Sequence, residues 1–290
     1  MKIHRLIGMA LCLCGLTCCV SEFDIKVDGV SDFIVIDAVV TDYDSVQVVY
    51  ICRDREKIID PYGSKTQFYD RIENVSVHIA DDNGWSADYT DVGEGEKGRV
   101  FQLKNHKFEP GRTYTMTVTV GSRIFEATET MAPSPIVDRL DFYPRESKDE
   151  TLWAPILYFA DSQPDVDNYY LFTDNLMYIR NWSGFRFLYL QRLSDVGLRG
   201  DMEGVRLSLG VGEGSDLLSG IRWGSSYTYE LYTISKGNYD YYGVLEDQLV
   251  NDGGVYKPTP TSPITNFSGK NVQGQFIAAS KYVISGRLFL

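Results

Sequence analysis

Apolar and polar residues alternate in short runs along most of the chain, and turn residues separate the runs. A period of two marks half-buried strands. In the first half, Phe33–Val40 and Ser45–Cys52 are predicted strands, and the charged stretch Arg53–Asp70, with Pro61-Tyr62-Gly63, is a predicted long loop. Asn74–Ala80 places Val75, Val77 and Ile79 on one face and His78 on the other. Asp81-Asp82-Asn83-Gly84 follows as a hairpin turn, because Asn-Gly tolerates positive φ at both central positions, and Trp85–Thr90 is the return strand. Arg99–Leu103, Thr113–Val120 and Arg123–Met131 complete the set, punctuated by Pro110-Gly111 and Gly121-Ser122. Short strands at such intervals predict an immunoglobulin-like β-sandwich of about seven strands. It occupies residues 33–134, and Pro133-Ser134-Pro135 marks its end.

Residues 135–290 form a predicted second β-rich domain. Ile136–Tyr143, Trp153–Ala160, Asn168–Thr173, Leu176–Trp182, Phe185–Leu190, Tyr227–Ser235 and Gln275–Ser285 read as strands. Residues 197–224 carry eight glycines and predict loops and bulges. One short helix is predicted over Tyr239–Val250: Tyr242, Leu245 and Leu249 recur at helical spacing, Asn238 stands at the cap, and Asn251 to Gly254 ends it. The predicted fold is therefore mainly β, an N-terminal immunoglobulin-like sandwich followed by a second β-rich domain with one helix.

The N-terminus follows a different pattern. Lys2 and Arg5 precede an uncharged apolar run from Leu6 to Leu16. That run is shorter than the roughly 20 residues a membrane-spanning helix needs. A basic start and a short apolar core describe an export signal, here residues 1–18. Leu16-Thr17-Cys18-Cys19 is similar to a bacterial lipobox with Cys19 as the acylated first residue. Cys18 stands where Gly, Ala or Ser is usual; were Cys18 itself modified, Gly15 would occupy the position that Leu16 fills better. Residues 19–32 then form a lipidated tether, and Ser21-Glu22-Phe23-Asp24 resembles the acidic surface-export signal of Bacteroidota lipoproteins.

Removing residues 1–18 leaves 26 basic and 40 acidic residues, a net charge of −14. This excludes the basic footprint of nucleic-acid binders and a polybasic membrane contact. Four of the five cysteines lie at or before position 19, so Cys52 is the one remaining thiol and no disulfide framework can form.

Several segments in order carry a family resemblance. They are the lipobox, the Ile34-Val35-Ile36 strand, Asn74–Ala80 with Asp82-Asn83-Gly84, Pro110–Val118 and Phe125–Pro133. Phe159-Ala160-Asp161 with Asn168-Tyr169-Tyr170, the tyrosine-rich stretch 227–249, and Ile264-Thr265-Asn266 before Gly274-Gln275-Phe276 complete them. Together they resemble the domain-of-unknown-function 4249 family of Bacteroidota lipoproteins over essentially the whole mature chain. The chain departs from the family's glycine pattern around Ala278. The resemblance implies an outer-membrane lipoprotein, often encoded beside a TonB-dependent receptor, and it brings no catalytic residues and no cofactor.

Candidate chemistry is sparse. A histidine-based nucleophile site has only His78 and His106 to draw on in the mature chain. Gly210-Val211-Gly212-Glu213-Gly214 lacks the spacing and the following helix of a dinucleotide loop. Asp161, Asp165 and Asp167 gather carboxylates in one loop, and calcium wants several oxygen ligands. Asp81, Asp82, Glu94 and Glu96 are acids that a glycosidase could pair. Trp153, Trp182 and Trp223 suit either core packing or stacking on sugars. The expectation is a non-enzymatic, surface-anchored outer-membrane lipoprotein, held to the bilayer by acylated Cys19 and accessory to a TonB-dependent receptor in nutrient capture or uptake. A glycan-binding module without a transporter is the alternative.

Overall fold

Strand β1 (Ile34–Thr41) buries alternate residues, sealing Ile34, Ile36, Ala38 and Val40 from solvent. In the computed structural model, which describes residues 33–54, 69–70, 72–95, 98–146, 151–161, 163–173, 179–182, 185–188, 190–196, 201–206, 221–250 and 261–289, this strand lies at the centre of the fold. It pairs antiparallel with β2 (Val46–Asp54), whose far end takes the two-residue β3 (Tyr69–Asp70). A second sheet is built from β4 (Val75–Asp81) and β5 (Ser86–Asp88). The chain then returns to the first sheet as β6 (Thr90–Gly95) and β7 (Gly98–Lys104), β7 pairing with β2. Strands β8 (Thr113–Val120) and β9 (Arg123–Thr130) complete the second sheet, of order β5-β4-β8-β9. Ile36, Ile51 and Phe101 of one sheet meet Ile79, Met116 and Phe125 of the other in a single core.

The order β1-β2-β7-β6 facing β5-β4-β8-β9 is the strand order of an immunoglobulin-type sandwich. Its corner tyrosine is Tyr114, at the start of β8. The Tyr114 hydroxyl accepts from the Glu109 amide (2.7 Å) and donates to the Glu109 carbonyl (3.2 Å). The single return strand expected over Trp85–Thr90 is two strands. The chain crosses between sheets at Tyr89, which is buried and donates its amide to Val77 (2.9 Å). The hairpin before it also differs from expectation. Only Gly84 is left-handed (φ 91°), and the Asp81 carboxylate holds the amides of Asn83 (2.9 Å) and Trp85 (2.8 Å). This is a three-residue loop, which needs one left-handed position rather than two.

The second half adds β10 (Ile136–Glu146), β11 (Thr151–Ala160), β12 (Tyr169–Thr173), β13 (Ile179–Trp182), β14 (Phe185–Leu188), β15 (Leu190–Ser194), β16 (Asp201–Arg206), β17 (Ser226–Ile234), helix α1 (Lys236–Val250) and β18 (Val272–Arg287). Strands β10, β11 and β16 form a three-stranded sheet. The others, apart from the β13–β14 hairpin, extend the first sheet to β15-β12-β17-β18-β1-β2-β7-β6. The boundary expected near residue 134 falls in the coil between β9 and β10. Across it, β18 runs parallel to β1 from the pair Ile34–Val272 to the pair Thr41–Ala279, so one sheet serves both halves. The described residues fall within one compact unit.

The side chains of β18 alternate between cores. Phe276 and Ala278 enter the sandwich core, whereas Ile277 and Ala279 pack beneath α1 with Leu171, Tyr232 and Tyr242. A third core, with Leu157, Phe159, Phe172 and Leu231, lies between the three-stranded sheet and the large one. Where the β1–β18 ladder ends, Asp42 accepts from the Lys281 amide (2.8 Å). The Lys281 ammonium, 9% exposed, sits between Glu230 (2.7 Å) and Asp44 (3.1 Å), and Tyr232 donates to Glu230 (2.6 Å). A buried charge of this kind is tolerated only because it is paired on more than one side.

Two further sequence expectations are corrected. The glycine-rich stretch 197–224 holds a strand, β16, and Ile221 bridges to Trp153. Helix α1 starts at Lys236, three residues early, because Ser235 rather than Asn238 is its cap: the Ser235 hydroxyl accepts from the Asn238 amide (3.2 Å). Asn238 is buried in the first turn and donates to the Phe276 carbonyl (3.3 Å). Residues 1–32 and Gly210–Gly214 lie outside the described residues.

Gly274 sits opposite Ile36 with φ 92°, and a Cβ there would lie 2.0 Å from the Ile36 carbonyl oxygen. Gly274→Ala is therefore expected to cost about 3 kcal/mol or more, since neither the backbone conformation nor the space admits it. Urea unfolding checks this, and a loss below about 1 kcal/mol would show that β1 and β18 do not approach so closely. Tyr114→Phe should cost about 0.5–1.5 kcal/mol, because it removes the bonds that close this corner; an unchanged urea midpoint would remove Tyr114 from that role.

Candidate functional site

The residues singled out from sequence separate into supporting and exposed groups. Cys19 and Glu96 lie outside the described residues. Cys52 is a half-buried cysteine on β2, packed so closely on Gly98 that a Cβ there would lie 2.7 Å from its own. His78 points outward from β4 and meets Asp88 at 2.7 Å. His106 stacks on Trp85 with ring centres 3.7 Å apart and meets Phe108 edge-on. Burial lowers the His106 pKa, against the pull of Asp81 and Glu109. Asp81 is committed to its turn. Burial opposes its ionisation, but the amides of Asn83 and Trp85 and the Arg112 guanidinium hold its carboxyl below the usual range. Asp82 and Glu94 are exposed. Arg112 thus meets the Asp81–Asp82 pair as a structural partner.

The loop after β11 is arranged differently from its sequence. Asp165 and Asp167 are exposed, while Asp161 meets Asp195, which no motif or spacing marks out. Both carboxylates close on Asn168. The Asn168 side-chain amide lies 2.9 Å from Asp161 Oδ2, 3.1 Å from Asp195 Oδ2, 2.8 Å from the Val166 carbonyl and 3.1 Å from that of Gln163. The Asn168 main-chain amide donates to Asp195 Oδ1 at 2.7 Å. The pairing of Tyr169 with Ser194 is what delivers Asp195 here, and that register is not visible in composition or spacing. Burial, and then the neighbouring Asp195, raise the Asp161 pKa. Among the described residues, no three His, Cys, Asp or Glu side chains are grouped to hold a metal ion.

A groove of about 540 Å³ opens beside the free edge of β10. Leu140, Phe142, Ile156 and Tyr158 of the three-stranded sheet form one side, and Tyr227 with Arg287, Leu288 and Phe289 form the other. The rings of Phe142 and Tyr227 lie 5.0 Å apart, and Phe289 is 64% exposed. The turn at Trp223-Gly224 braces this end of the chain. Gly224 donates to the Leu288 carbonyl (3.0 Å) and accepts from Arg287 Nε (2.7 Å). Trp223 is 46% exposed, and its ring lies 5.7 Å from that of Trp153. The side chain of Trp182 is outside the described residues.

The fold defines a class: an immunoglobulin-type sandwich whose first sheet continues into a second, helix-backed β unit. Residues 20–284 match the family model described as Domain of unknown function (DUF4249), and the chain belongs to that family. No curated protein matches it.

The acid pair makes a testable statement about pH. A raised pKa in the folded state means that folded Asp161 keeps its proton above its ordinary value of 3.8, where the unfolded chain has lost it. Stability from this residue therefore falls as pH rises from that value through the folded pKa. Asp161→Asn removes the titration, so its stability relative to the parent should improve from pH 4 to pH 7. Urea midpoints at the two pH values measure the difference, and a relative loss on raising pH would contradict the assignment.

Proposed function

We propose that this chain is a non-enzymatic lipoprotein of the outer membrane, tethered at the cell surface through acylated Cys19. In this reading it serves as an accessory to a TonB-dependent receptor in nutrient capture or uptake. The observation that carries the reading is Leu16-Thr17-Cys18-Cys19 placed directly before the family match, which begins at Val20. A diacylglycerol thioether with an N-acyl chain inserts several tails, each buried methylene worth about 0.8 kcal/mol, and two or more chains anchor stably where one does not. A net charge of −14 after removal of residues 1–18 leaves the lipid, not a basic patch, as the membrane contact. The receptor enters through the family resemblance, and the open groove gives such a complex a surface at which a small nutrient could dwell.

A second reading, glycan binding without a transporter, is favoured by the half-exposed Trp223 beside Trp153. A glycan array distinguishes it, and silence across the array removes it.

Labelling cells with a radioactive or clickable palmitate analogue should mark the parent chain and not Cys19→Ala, which should also leave the membrane fraction. Equal labelling of the two would sink the anchor. Affinity purification in mild detergent should recover a TonB-dependent receptor, and repeated recovery of the chain alone would sink the accessory role.

A further inference from the structure

We propose that the groove beside β10 is a binding site for a small ligand that carries a carboxylate on a flat, carbon-rich face. The argument begins with Arg287. Its Nε is committed to the Gly224 carbonyl at 2.7 Å, and its guanidinium carbon lies 5.0 Å from the Phe289 ring centre. Among the described residues, no carboxylate pairs with its two terminal nitrogens. The other guanidinium nearby is already occupied. Arg139 lies over Tyr158 at 3.6 Å and holds Asp138 (2.5 Å) and Asp141 (3.1 Å). Asp141, the acid on the groove wall, is therefore matched by a charge of its own and does not compete for Arg287.

Among the described residues Arg287 is a cation without a carboxylate partner, set beside the Phe289 ring in a chain of net charge −12. A guanidinium held at Nε presents a fixed fork, and carboxylate is the planar anion that such a fork grips with two parallel bonds. The exposed Phe289 offers a ring face on which an apolar ring or the carbon face of a sugar can lie, and Phe142 and Tyr227 line the groove beside it. The volume of about 540 Å³ is that of a small-molecule pocket. An aromatic acid and a uronic sugar share this chemistry. The site lies within residues 140–289 and does not depend on the lipid anchor.

Calorimetric titration of the purified protein with 2-naphthoate, its neutral alcohol 2-naphthalenemethanol, and trigalacturonate tests the assignment. At least one of the two acids should bind. If it is naphthoate, the alcohol should bind ~10-fold more weakly or worse, because it lacks the charge-assisted pair. Arg287→Met should weaken the bound acid by a similar factor, with a small drop in melting temperature from the lost bond to the Gly224 carbonyl. Binding of naphthoate alone marks an aromatic acid, and binding of trigalacturonate alone marks a uronic sugar. The proposal is overturned if neither acid binds up to ~10 mM, if naphthoate and the alcohol bind alike, or if Arg287→Met binds the acid as the parent does.

Discussion

The parallel contact between the first and last strands of the fold is the constraint on which the other layers depend. Strand β18 reaches β1 so closely that the backbone of Ile36 occupies the space where a side chain at residue 274 would be. Only glycine fits, and only glycine adopts that backbone angle without strain. From this contact the sheet passes without a break from the sandwich to the second β unit. Parallel pairing of chain ends this far apart is costly in chain entropy, so it persists because what it encloses is worth more. β18 faces three cores along one strand, with neighbours on both sides and layers above and below.

Electrostatics secures the same seam. The loop after β1 supplies Asp42 to the Lys281 amide and Asp44 to its ammonium, and β17 supplies Glu230. Removing any one of these would leave charge buried without its full set of partners. Burial, and then the adjacent Glu230, push the Tyr232 pKa well up, so its hydroxyl remains a donor in this network. A hydrophobic ladder and an ionic clasp therefore act at consecutive positions of one strand.

Much of this architecture was legible in the chain. The alternation in β4, β8 and β9 reflects one buried and one more open face, that in β1 a sealed and a half-buried face, and the period of two reports both directly. The corner formed by Tyr114 and the split at Tyr89 were not legible, because both depend on contacts across the core. Nor was the sharing of one sheet by the two halves. Ile277-Ala278-Ala279 reads as a buried strand whichever neighbour it takes, since both its faces are covered. The cap of α1 went to Ser235 because the fold needed Asn238 for the Phe276 carbonyl. For the candidate sites the same limit applies. Asp161 was visible as one of several loop acids, but Asp195 arrives by strand register. Arg287 gains its setting only from the Trp223-Gly224 turn folding back on the end of the chain.

The position of β1 has a mechanical consequence. Among the described residues the chain enters its first strand at Ile34, and that strand is flanked by β2 on one side and β18 on the other. A pull directed along β1 from that entry point loads two hydrogen-bonded ladders at once, and loads them in shear rather than opening them one bond at a time. The first described strand is thus gripped on both sides, and force arriving from that end is spread across the sheet before any single strand can peel away.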